Sequence, residues 1–76
     1  MQITFPQNHS RVTEADVIEF PAVVDGTRTS CRITIEELGR EFSVRDLNPA
    51  TFESEFLRLR PEIEAQARER IVNKPR

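Results

Sequence analysis

The sequence predicts an α+β fold: an N-terminal antiparallel β-hairpin with a short third strand, then a short helix and a long C-terminal helix packed on one sheet face. Three observations carry that prediction. Apolar and polar residues alternate on either side of Asp25-Gly26; the period changes from two to about 3.6 after Ile33; and Phe52, Phe56, Leu59, Ile63, Ala67 and Ile71 recur at helical steps of three and four.

Ile3, Thr4 and Phe5 form a short β-prone run that ends at Pro6 and supplies the third strand. Gln7 to Asp16 is polar and reads as a loop, with Asn8, His9 and Ser10 as its turn cluster. His9 is the only histidine. With no second histidine or paired cysteine nearby it is expected to be solvated, and the chain offers no metal site.

The hairpin can be read to its register. Asp-Gly is the preferred pair for a two-residue type I′ turn, so Val24 faces Thr27, and counting outward sets Ala22 against Thr29, Phe20 against Cys31 and Ile18 against Ile33. These residues share one face because strand side chains alternate, and a slip of one residue would mix the faces. On the other face Glu19 lies across from Arg32, a charge pair worth roughly 0.2 to 1 kcal/mol. Pro21 has no N–H, but it opposes Ser30 in a pair that exchanges no hydrogen bonds, so the missing donor points away from the partner strand. The strand from Val17 to Val24 should therefore be a sheet edge, or be interrupted, at Pro21.

Thr34 and Glu37 form a capping box and begin a helix from Ile35 to about Phe42, with Leu38 and Phe42 on its buried face and Glu36–Arg40 as a helical ion pair. Gly39 costs that helix on the order of 1 kcal/mol relative to alanine. Periodicity lapses from Ser43 to Leu47. Asn48-Pro49 then restarts it, asparagine as N-cap and proline at the first helical position. The apolar stripe keeps its phase across Pro61, which favours one long helix kinked or broken there; a break at Arg60 is the alternative. The opposite face is charged, with Glu64 and Arg68 placed for an ion pair, and residues 73–76 should fray.

Seventy-six residues make a single domain over residues 1–76. Five phenylalanines supply most of its core, and a chain this short gains from self-association. Eleven basic against thirteen acidic residues give a net charge of −2, which offers no general attraction to nucleic acid or anionic membrane. Ten of the eleven basic residues are arginine, through genomic composition or to recognise phosphate or carboxylate. Cys31, the sole cysteine, sits on the apolar face and reads as a small core residue. Neither a signal peptide nor a membrane-length apolar run is visible, so the expected location is cytoplasmic.

In this order of elements the chain resembles a family of small bacterial proteins catalogued as domain of unknown function 1488. The matching residues are Ile3-Thr4-Phe5-Pro6, Ser10-Arg11, Val17-Ile18-Glu19-Phe20, Thr34-Ile35-Glu36-Glu37-Leu38, Phe52, Phe56, Arg60, Ile63 and Ala67, over roughly residues 1–72. The resemblance implies a compact α+β domain in the bacterial cytoplasm, with no activity, cofactor or catalytic residue to carry over. Arg60 is its one polar position of interest, expected in a helix-surface salt bridge with Glu64 or Glu62.

The leading functional expectation is a non-enzymatic protein-interaction or regulatory module, bound to an unidentified protein or to itself as a homodimer. Val17, Pro21 and Val23 around Glu19 make the nominally exposed hairpin face too apolar to be left open, unless the chain's own N-terminal strand or helix covers it. With Arg28 and Arg32 these residues are the candidate interaction surface. The alternative is a nucleic-acid-binding or transcription-regulatory protein that uses Arg28 and Arg32, joined by Arg11 or Arg45. An acidic chain without an exposed aromatic platform argues against it. No enzyme is expected, since nothing pairs His9 with Cys31 or clusters carboxylates, and neither a cofactor nor a catalytic residue is assigned. A pocket of roughly 300 Å³ or more with converging polar groups would reopen that question.

Overall fold

The computed structural model describes residues 1–73. Four strands are followed by three helices: β1 (Ile3–Thr4), β2 (Ser10–Val12), β3 (Val17–Val24), β4 (Thr27–Thr34), α1 (Ile35–Glu41), α2 (Pro49–Arg58) and α3 (Arg60–Val72). They form an α+β arrangement in which the helices pack on the antiparallel sheet. Lys74 to Arg76 of the expected frayed tail lie outside the described residues, while Asn73 closes α3 by donating its N–H to the Glu69 carbonyl.

The hairpin has the predicted register throughout, from Val24 opposite Thr27 to Ile18 opposite Ile33, with Glu19 opposite Arg32 and Pro21 opposite Ser30. Asp25 and Gly26 both have positive φ, 50° and 85°, as a type I′ turn requires. The turn is also tied to the N-terminus. The Asp25 carboxylate accepts from the Gln2 N–H at 2.8 Å, and the Gln2 carbonyl accepts from the Asp25 N–H at 2.8 Å.

Two features differ from the loop predicted over residues 7–16. Ser10 to Val12 form β2, paired antiparallel to Glu19, Ile18 and Val17, and a 3-10 turn at Thr13–Ala15 carries the chain into β3. The turn ends on Asp16 in the left-handed conformation, φ 48°, and the Asp16 carbonyl accepts from the Ile35 N–H at 3.0 Å. Polarity hid this strand: at three residues, with Ser10 and Arg11 in it, β2 is too short for an alternation to show.

β3 is consequently a central strand, with β4 along one side and both β1 and β2 along the other. β1 pairs with Val23 and Val24, β2 with Val17 to Glu19, and Phe20, Pro21 and Ala22 between them have no partner on that side. The predicted interruption at Pro21 is this gap. The proline stands where its absent N–H would have pointed at nothing, so the ladder loses no bond.

The core lies on one face. Ile18, Phe20 and Ile33 from the sheet meet Leu38 of α1, Phe52 and Phe56 of α2 and Ile63 of α3, with Ile35, Phe42, Leu59, Ala67 and others packed around them. The capping box at Thr34–Glu37 is present, both bonds measuring 3.0 Å, and Asn48 caps α2 with Pro49 at its first position. The C-terminal helix is broken rather than merely bent. Leu59, at φ −98° and ψ 6°, ends α2 and precedes α3, and Pro61 becomes the second residue of α3, where a missing N–H costs little. The interruption is so short that the Leu59 N–H still reaches the Glu55 carbonyl and the Ile63 N–H the Leu59 carbonyl, so the stripe keeps its phase and faces the sheet on both sides of the break.

Two predicted helical ion pairs are replaced. Arg40 approaches Glu41 at 3.8 Å rather than Glu36, and Glu64 turns back to Arg60 at 2.8 Å rather than forward to Arg68.

Candidate functional site

All three helices occupy one side of the sheet, which leaves its other face without a covering layer. Strand alternation puts Val17, Glu19, Pro21 and Val23 of β3 on that face, beside Arg28, Ser30, Arg32 and Thr34 of β4. β1 and β2 extend it sideways with Thr4, Ser10 and Val12, because Thr4 pairs with Val23, Ser10 with Glu19 and Val12 with Val17. The predicted surface residues Val17, Glu19, Pro21, Val23, Arg28 and Arg32 are thus brought together. Val17 and Val23 are half-buried, Val12 is 38% exposed, and Pro21 is buried.

Charge on this face is unevenly used. Arg32 donates to the Glu19 carboxylate at 2.7 Å, the predicted cross-strand pair. Arg28 is exposed and makes no ion pair among the described residues. Arg11, expected to join these arginines, does not: it pairs with Ile18 and so lies on the helix-covered face, its guanidinium 5.4 Å from the Phe52 ring centroid and 3.6 Å from the Asp16 carboxylate. A basic patch spanning Arg11, Arg28 and Arg32 is therefore not formed. Arg45 lies in the exposed connection after α1.

A shallow depression of about 360 Å³ lies over Pro21, bordered by Asn8, His9, Ser10, Glu19, Arg28 and Ser30 among others. It reaches the size that reopens the question of an enzyme, as does a larger, more open hollow of about 620 Å³ bordered by Asp16, Glu36, Arg40 and Asn48. His9 brings an imidazole to the border of the first, and the Nε2 of that ring is held 2.6 Å from the Glu53 carboxylate while the ring packs on Phe56 at 5.4 Å. Glu19 is held by Arg32. What remains is the Arg28 guanidinium with hydroxyl and amide groups, which can bind a polar or anionic group. His9 is accordingly not the solvated loop residue that was expected.

Arg60 also departs from expectation. It does bind Glu64, at 2.8 Å, but it is only 5% exposed and its terminal nitrogen donates to the carbonyls of Pro6 and Asn8 at 2.8 and 3.1 Å. The guanidinium lies over Phe20 and Phe56, 5.9 and 5.4 Å from their ring centroids. Gln7 donates to the same Glu64 carboxylate at 2.9 Å. The loop bridging the gap in the sheet is thus fastened to the helices at Arg60, Glu64 and Glu53. Arg60 reads as a helix-surface residue because carbonyl acceptors from a loop more than fifty positions away leave no local signature.

A narrower concavity, about 200 Å³, runs between β4 and α3 and is lined by Cys31, Ile33, Ile63, Ala67 and Ile71, with Arg32 and Arg70 at its rim. Cys31 is half-buried here against the core, and that burial pushes its thiol pKa up, away from reactivity. Sequence reasoning missed this groove. Its one trace was an apolar stripe that continues to Ala67 and Ile71 at the open margin of the sheet.

Among the described residues no group of three or more His, Cys, Asp or Glu side chains is placed to hold a metal ion, and no helix is long and apolar enough to cross a membrane. The model of one family, described as a protein of unknown function (DUF1488), matches residues 3–76. No curated protein and no solved structure matches the chain.

Proposed function

The chain belongs to the DUF1488 family, whose description assigns no activity, and from that premise we propose that it is a non-enzymatic, cytoplasmic protein-interaction module that binds another protein on the uncovered side of its sheet. One observation carries this reading: the helices all pack on one face, and the other presents Val12, Val17 and Val23 around a neutralised Glu19–Arg32 pair and an Arg28 unpaired among the described residues. Apolar side chains ringed by polar ones on an open sheet face are the pattern of a protein contact. Nucleic acid is disfavoured because the arginines that would read it are divided between two faces, one is spent on Glu19, and the net charge is −2.

The test is capture by the tagged chain compared with its Val23→Lys and Arg32→Glu variants, alongside light scattering at micromolar concentration. A partner retained by the parent chain and lost in Val23→Lys, with unchanged melting, supports the reading. A second copy is the competing occupant and would show as twice the monomer mass, lost in the same variant. Equal behaviour of parent and variants would sink the face as a binding surface, and binding to mixed duplex or single-stranded nucleic acid that weakens with salt would favour the alternative.

A further inference from the structure

The partner's chemistry can be inferred from the margin of the sheet, granted the reading above that the chain is a protein-interaction module. We propose that β4 accepts an extended acidic–apolar peptide segment as an added antiparallel strand, with its apolar side chains seated in the groove between β4 and α3.

The backbone supplies the first argument. Val24 and Thr27 flank a two-residue turn and exchange both their hydrogen bonds, so the alternate pairs Ala22–Thr29, Phe20–Cys31 and Ile18–Ile33 do the same. Thr29, Cys31 and Ile33 therefore spend their N–H and C=O groups on β3. Arg28, Ser30 and Arg32 point theirs outward, and β4 pairs only with β3 among the described residues. The open stretch ends at Thr34, whose N–H donates to the Glu37 carboxylate at 3.0 Å. Arg28 to Arg32 are a ready template for strand addition.

Side chains supply the second. Residues of an added strand opposite Cys31 and Ile33 face the helices, where the groove of about 200 Å³ lined by Cys31, Ile33, Ile63, Ala67 and Ile71 would receive them. Residues opposite Arg28 and Arg32 face outward. Acidic side chains there would continue the row that begins Glu19–Arg32, alternating in sign, and would give Arg28 the partner it lacks among the described residues. Read along the partner, the recognised segment is apolar, acidic, apolar, two unrestricted residues, acidic.

The same geometry rejects a second copy. Antiparallel pairing of two β4 strands about Ser30, the register that uses all the free edge groups, sets Arg28 of each against Arg32 of the other, like charges directly opposed.

The experiment is an NMR titration of the isotope-labelled full chain with the blocked peptide Thr-Val-Glu-Val-Thr-Thr-Glu-Thr. The expected result is saturable shifts of the Arg28, Ser30 and Arg32 amides below about 1 mM peptide, with slowed hydrogen exchange at those sites. Replacing both peptide glutamates by lysine should weaken binding at least about tenfold. Ser30→Pro removes the central outward N–H and should abolish binding; Arg28→Glu, an exposed change that spares the fold, should weaken the acidic peptide and strengthen the lysine peptide. Three results overturn the proposal: no shifts at these amides, equal binding of both peptides, or β4 amides already protected in a free chain of dimer mass. If the peptide fails while partner capture is still lost in Val23→Lys, this inference alone falls. If capture is also indifferent to Val23→Lys, the broader reading falls with it.

Discussion

Arg60 shows most plainly how one residue can organise this fold. Its guanidinium is nearly inaccessible, touches two core rings, and serves a carboxylate and two loop carbonyls together, an arrangement that needs a planar fork rather than a point charge. Arg60→Ala leaves part-buried acceptors without their donor and uncovers two core rings, and should cost about 1–3 kcal/mol in urea melts. Arg60→Lys keeps the charge but cannot span the same acceptors and should recover only part of that loss. Gly39 is the opposite case. A Cβ there would meet Leu47 and the Val44 carbonyl at 3.7 Å, ordinary contact, so Gly39→Ala should raise stability by about 1 kcal/mol. Cys31 gives a pH dependence. Burial raises its thiol pKa above that of the unfolded chain, so the folded state keeps the proton longer; the contribution is present below about pH 8.5 and is lost as pH rises through the folded value. A Cys31→Ala variant should lose this alkaline decline in melting temperature.

At the scale of elements, the hairpin was legible in full because each of its signals is local: the turn dipeptide, the alternation and the pair formed by Glu19 and Arg32 all act within a few residues of Asp25-Gly26. The caps at Thr34 and Asn48 and the stripe from Phe52 to Ile71 were legible for the same reason. What stayed hidden depends on distant partners. β2 exists because β3 offers Val17 to Glu19 as a template, Arg11 faces inward because Ile18 does, and His9 is half-buried because Glu53 arrives from α2. The outward and inward residues of β4 should respond oppositely to proline. At Thr29 it removes a donor spent on β3 and should cost on the order of 3 kcal/mol, whereas Ser30→Pro should leave the melting temperature within a few degrees of the parent, as Pro21 is tolerated across the same pair.

On the scale of the whole molecule, the sheet is closed from its two ends. The N-terminus is bound to the hairpin turn through Gln2 and Asp25, and the loop after β1 is bound to α3 through Arg60 and Glu64. α3 in turn is moored to α1, where Glu41 accepts from Gln66 at 2.6 Å and from Arg70 at 2.7 Å. Most of the sheet's apolar face is covered by α2 and α3, which are distant in sequence, so unfolding should be a single cooperative transition with coincident circular dichroism and fluorescence-probe midpoints. A chain ending at Leu59 loses Arg60 and Ile63 and should show no such transition.

The fastening of the N-terminal loop by Arg60 also constrains how the protein is made. Pro6 and Asn8 are translated more than fifty residues before the side chain their carbonyls accept from. While translation is under way the hairpin can close on its own local signals, but the part of its apolar side that Arg60 and Ile63 cover stays bare until α3 clears the ribosome. The nascent chain is therefore most exposed to aggregation and to chaperones in the interval between closure of its hairpin and emergence of α3.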